Sequence, residues 1–137
     1  MKNKISLLGL TKDTKMVYLD NFLTDYEWGV FEDTNNKGKY IIYDLQCGCN
    51  VEENYTIEQV INRVICRALD YEINEHYDCF FDDFDSYNHK GYIDYINGLY
   101  KIALKYVEPK SNYEKDWLVD IGKAIKEMTD FFEEVNR

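Results

Sequence analysis

The clearest pattern of apolar and polar positions lies in the C-terminal half of the chain. Thr56-Ile57-Glu58-Gln59 has the spacing of a capping box, with Thr at the N-cap and Gln three residues on. Behind it, Ile57, Val60, Ile61, Val64, Ile65, Ala68 and Leu69 recur at intervals of three and four. That period lays one apolar stripe along a helix and predicts a helix from 57 to about 75. A second stripe starts near Gly91, with Ile93, Ile96, Tyr100, Ala103 and Val107, and stops before Pro109, whose ring cannot continue a helix. A third follows Ser111, with Glu114 again at the capping-box spacing. It places Trp117, Leu118, Ile121, Ala124, Ile125, Met128, Phe131, Phe132 and Val135 on one face of a helix over 113–135.

The N-terminal half has a different rhythm. Residues 26–32 and 39–45 are rich in β-branched and aromatic side chains, and the six residues from Asp33 to Gly38 between them are turn formers. They predict an antiparallel hairpin with Trp28 and Val30 on one face and Phe31 on the other. Ahead of it, residues 4–10 read as a short strand. Residues 14–24 place Met16, Leu19, Phe22 and Leu23 near one face, as a helix would. The expected fold class is therefore α+β: a small antiparallel N-terminal sheet packed on a C-terminal helical half of about three helices. The chain is expected to form a single domain over 1–137, a length that buries a real core.

Composition narrows the partners. The formal net charge is −10, which disfavours direct binding to nucleic acid or to an anionic membrane and favours a basic partner. Aromatic residues make up 16% of the chain, far more than a disordered acidic chain carries. The apolar run at 5–10 is too short for a signal-peptide core or a bilayer span. The usage of Lys, Asn, Ile, Tyr and Asp is similar to that of AT-rich Gram-positive bacteria and their phages and plasmids, so the expected location is cytoplasmic, in a bacterial host. There the four cysteines stay reduced, and thiol packing or metal binding outranks disulfides.

Two of those cysteines form Cys47-Gly48-Cys49, directly after the second hairpin strand, and Gly48 lets the chain turn so that both sulfurs face one point. His76 and Cys79 stand at i and i+3; one further turn of the helix ending near 75 puts them on the same side. Together Cys47, Cys49, His76 and Cys79 make a Cys₃His set, which suits a structural zinc ion. His89 is the reserve ligand, and Cys66 lies off the helix stripe as a lone thiol. A plainer reading uses the same residues: small cysteines packed as hydrophobes, and His76 capping the helix end with its partial positive charge. Calcium fits neither. Setting Gly91 at the sixth position of an EF-hand loop places Lys90 where an oxygen ligand is required.

Charge is not spread evenly. No Lys or Arg occurs between Arg67 and Lys90, while Asp70, Glu72, Glu75, Asp78, Asp82, Asp83 and Asp85 all fall in that interval. Acids near a helix C-terminus oppose its macrodipole, and folding alone does not ask for them. Phe80, Phe81 and Phe84 are interleaved and need burial. The arrangement reads either as a solvated acidic loop anchored by phenylalanines, or as an anionic ridge complementary to an Arg/Lys-rich groove. A second acidic group, Asp116, Asp120, Glu127, Asp130, Glu133 and Glu134, is partly offset by lysines and has the look of an ordinary helix surface.

Catalysis is poorly signalled. The chain has no Walker loop, nucleophile elbow, dinucleotide fingerprint or HExxH. Cys79 with His76 suggests a nucleophile–base pair, and Asp82 with Asp83 a magnesium site, but no further convergent groups accompany either. The expectation is a protein that is not an enzyme.

Small size, strong acidity, aromatic richness, reduced thiols and missing catalytic motifs together resemble the anti-CRISPR proteins of phages and plasmids that inhibit type II-A Cas9. The resemblance is global and transfers no functional residue. It implies a stoichiometric inhibitor that binds a basic surface of a Cas9-type effector and blocks guide or target-DNA access. Two other classes share these features: an immunity protein neutralising a basic nuclease toxin, and a small metal-dependent enzyme.

Overall fold

In the computed structural model the chain is α+β, with a three-stranded antiparallel sheet in the N-terminal half followed by three long helices. Residues 4–82, 89–109 and 111–136 are described. Two compact units are present, 1–65 and 66–137, and the boundary falls inside one helix.

The first unit begins with α1 (Leu7–Thr11) and α2 (Met16–Tyr26). The expected strand at 4–10 is corrected to a helix start, and the reason is a contact distant in sequence. Ser6 caps α1, its Oγ accepting from Gly9 N at 3.2 Å, and the Asp20 carboxylate accepts from Leu7 N at 2.8 Å and Leu8 N at 3.0 Å. Two donors that a first helical turn leaves open are thereby satisfied by α2. Ile5 keeps a strand-like bond, donating to Val30 O at 2.8 Å. In α2, Met16, Leu19, Phe22 and Leu23 are all buried, as their spacing predicts.

The hairpin forms as read. Strand β1 (Trp28–Glu32) pairs antiparallel with β2 (Tyr40–Asp44), Val30 opposite Ile42. Trp28, Val30 and Phe31 are all buried, so β1 is covered on both faces. A third strand, β3 (Cys49–Tyr55), pairs with β2 and has no counterpart in the sequence reading. It carries Val51 and Tyr55 as its only sizeable apolar residues, and its register with β2 shifts twice. It is tied to the helix that follows, Arg63 Nε donating to Glu52 Oε1 at 3.2 Å while the same guanidinium lies over the Trp28 ring.

Helix α3 (Ile57–Asp82) starts at the capping box. Thr56 Oγ1 accepts from Gln59 N at 3.2 Å, and Gln59 Oε1 accepts from Thr56 N at 2.8 Å. Thr56→Ala is expected to lower stability by about 1 kcal/mol, read as a shift of the urea midpoint; an unmoved midpoint would show that the box is not holding the helix start. The helix runs seven residues past its expected end at 75. Aromatic burial outweighs the unfavourable acids of its last turns: Phe80 is fully buried, within 6.0 Å centroid distance of the rings of Phe81, His89, Tyr92 and Phe131.

The rest of the second unit is α4 (His89–Tyr106) and α5 (Asn112–Val135). Pro109 lies just past the end of α4, and Ser111 caps α5 by accepting from Glu114 N at 3.2 Å. Along α5, burial narrows to the centre line of the expected stripe, Ile121, Ile125 and Met128. Trp117, Leu118, Ala124, Phe131 and Phe132 flank that line half-buried, and Val135, the last helical residue, is exposed. Asn97 joins the two helices, donating to Thr129 Oγ1 at 3.1 Å.

Candidate functional site

The acidic segment divides into carboxylates that serve the fold and carboxylates that face water. Asp70 accepts from Trp117 Nε1 at 2.7 Å, a bond between α3 and α5. Glu72 is buried, with Oε2 3.5 Å from His76 Nε2 one turn on, and its backbone carbonyl accepts from Tyr92 Oη at 3.1 Å. Buried Glu72 offers no open carboxylate to a partner, and half-buried Asp70 has one oxygen committed to Trp117. Glu75, Asp78 and Asp82 are exposed on α3. Their spacing of three and four puts them on one helix face over successive turns. Asp83 and Asp85 lie outside the described residues, as does Phe84.

The face is anchored from behind by rings. Phe80 is buried and Phe81 half-buried; Phe81 meets Tyr77 and Phe131 edge-on at 5.0 and 5.1 Å. Tyr77 Oη donates to the Glu127 carboxylate of α5, which raises the tyrosine pKa, with burial adding to the same direction. The exposed carboxylates thus stand on a helix whose opposite side is fixed, so a partner would meet charges already in place.

The sulfur groups are also placed. Cys47 and Cys49 are exposed at the β2–β3 turn with their Sγ atoms 3.0 Å apart. Gly48 has φ +72°, a left-handed conformation that L side chains disfavour, and this is the turn the sequence needs glycine for. The Asp44 carboxylate accepts from Gln46 N at 2.9 Å and Cys47 N at 3.2 Å. The Cys49 thiol beside it, and then the Asp44 carboxylate, push the Cys47 thiol up to about 12. In return, the Cys47 thiol holds the Asp44 carboxyl below its usual range. A soft metal ion taken up by this pair would have to displace that proton.

His76 and Cys79 lie on the extended part of α3, with His76 beside Glu72 and Cys79 exposed. His89, the reserve ligand, is buried against the Phe80 ring with Nε2 3.3 Å from Phe80 O, and Cys66 is half-buried. Among the described residues no group of three or more His, Cys, Asp or Glu side chains is gathered to hold a metal ion.

Sequence reasoning missed Asp44 as the residue that organises the dithiol turn. Its place three residues before Cys47, where an aspartate side chain bonds the backbone ahead of it, was the available signal. It also missed that Glu72 turns inward, which needed the position of α4. No protein-family model, curated protein or solved structure gives a significant match to this chain. Among the described residues no helix is long and apolar enough to cross a membrane.

Proposed function

We propose that this protein is a stoichiometric inhibitor of a nucleic-acid-handling bacterial defence effector of the Cas9 type. It binds a basic surface of the effector through the acidic face of α3 and denies that surface to guide or target DNA. The observation that carries the reading is the row of Glu75, Asp78 and Asp82, exposed on successive turns inside a stretch with no Lys or Arg between Arg67 and Lys90. Like charges so placed weaken a helix end, so their value lies in what they attract. Cas9-type effectors hold the heteroduplex in a positively charged channel recognised through the backbone, and carboxylates compete for the arginines that such a channel presents. Charge of this kind also speeds encounter and selects among partners.

The test is capture of a purified type II-A Cas9 by the immobilised protein, with and without guide RNA, alongside a DNA-cleavage assay. The expected result is retention at near-equimolar ratio and loss of cleavage at the same ratio. Retention is expected to weaken as salt rises. No retention, with cleavage undiminished at excess protein, would overturn the Cas9 assignment. Retention of a basic nuclease toxin instead would move the protein to the immunity class.

We propose a structural zinc ion as a separate point, since the acidic face needs no metal to act. Elemental analysis of protein purified without added metal is expected to find about one zinc per chain. A content well below that removes the zinc.

A further inference from the structure

We infer that the Cys47-Gly48-Cys49 turn is a redox modification site, where a small-molecule disulfide such as glutathione disulfide converts the two thiols into an intramolecular disulfide. The inference is independent of the inhibitor reading and rests on geometry. The two Sγ atoms are 3.0 Å apart. A disulfide bond is about 2.0 Å long, so closure asks for about 1 Å of sulfur movement. Both side chains are exposed, and a small oxidant reaches them without any opening of the fold.

The turn that holds the sulfurs together is built from other groups. Asp44 is paired with Cys49 in the strand ladder, Gly48 N donates to Asp44 O at 2.9 Å, and the Asp44 side chain accepts from the two amides before Gly48. These bonds are made by the backbone and the Asp44 carboxylate, so the frame that brings the sulfurs together does not depend on a thiol proton. The other two cysteines have different settings: Cys66 is half-buried and Cys79 is exposed on a helix without a second cysteine beside it in sequence.

The chemistry balances as two exchanges. The thiolate of one cysteine attacks a sulfur of glutathione disulfide, forming a mixed disulfide and releasing one glutathione thiolate, which takes up a proton. The second cysteine loses its proton and attacks the protein sulfur of that mixed disulfide, closing the Cys47–Cys49 bond and releasing the second glutathione. The protein loses two electrons and two protons, and glutathione disulfide gains them as two thiols. A disulfide exposed at a turn with one residue between its cysteines belongs to the readily reduced class, so the site is reversible.

The experiment equilibrates the natural chain with glutathione redox buffers from reducing to oxidising, blocks free thiols by alkylation, and maps tryptic peptides by mass. Cleavage after Lys39 and Arg63 gives peptide 40–63, which contains Cys47 and Cys49 and no other cysteine. The expected product is this peptide two hydrogens lighter and unalkylated in oxidising buffer, returning to the doubly alkylated form in reducing buffer. Cys47→Ser and Cys49→Ser chains should instead stop at a peptide carrying one glutathione. Doubly alkylated peptide throughout the series, or stable glutathione adducts on the natural chain in place of the internal disulfide, would overturn the inference.

Discussion

Phe80→Ala is expected to cost about 3–5 kcal/mol of stability, the range for deleting a fully buried phenylalanine from a packed core. Phe80 has no solvent exposure, and four neighbouring rings lie around it, those of Phe81, His89, Tyr92 and Phe131. Alanine would leave a cavity bounded by stiff rings that cannot collapse into it easily. Natural domains are stable by roughly 5–15 kcal/mol, so the loss is a large share of the whole. Urea unfolding followed by tyrosine fluorescence and by far-UV circular dichroism reads it. A loss under about 1 kcal/mol would mean that the extended part of α3 is not anchored by this residue. Phe80→Leu, which keeps much of the volume, should recover a good part of the loss.

Reversing the acidic face should act on binding and spare the fold. The triple variant Glu75→Lys, Asp78→Lys, Asp82→Lys is expected to weaken binding to the proposed basic effector at least about a hundred-fold, close to 2.7 kcal/mol. Attraction is lost and like charges are brought together. Its thermal unfolding should not fall, because all three side chains are exposed and cations near a helix C-terminus favour its dipole. The control is Asp116→Lys with Asp120→Lys, two exposed acids on α5 whose reversal changes net charge in the same direction. If the control weakens binding as much as the triple variant, the effect belongs to overall charge and the face is not the contact. If neither variant weakens binding, the interface lies elsewhere.

How far the fold can be read locally follows from where its determinants sit. The start of α3, the end of α4 and the start of α5 are legible because their signals are close in sequence to their stripes: Thr56 with Gln59, Pro109 past α4, Ser111 with Glu114. The end of α3, seven residues beyond the expected 75, is set instead by Phe80 packing on rings distant in sequence. The segment at 5–10 misleads because Ile-Ser-Leu-Leu-Gly-Leu suits a strand by composition, while the carboxylate that starts the helix there belongs to Asp20. Strand β3 is invisible to an alternation test, since Cys-Asn-Val-Glu-Glu-Asn-Tyr forms no regular apolar face. Its existence depends on the turn at Gly48 and on pairing with β2. The candidate site behaves likewise. The meeting of Cys47 and Cys49 is readable from one glycine, whereas the division of the acids into Trp117-bonded Asp70, buried Glu72 and exposed Glu75, Asp78 and Asp82 needs Trp117 and Tyr92 in place.

The poor regularity of β3 has a consequence for how the protein behaves in a crowded cell. A sheet grows wherever its outermost strand offers a flat, apolar row of free backbone groups. Here that strand is polar, carries two adjacent glutamates, shifts register twice and bends at Asn54, which has φ +59°. At the other border, Ile5 already bonds to Val30 O. Neither border offers a copy of the chain a straight template, so edge-to-edge pairing through this sheet is disfavoured.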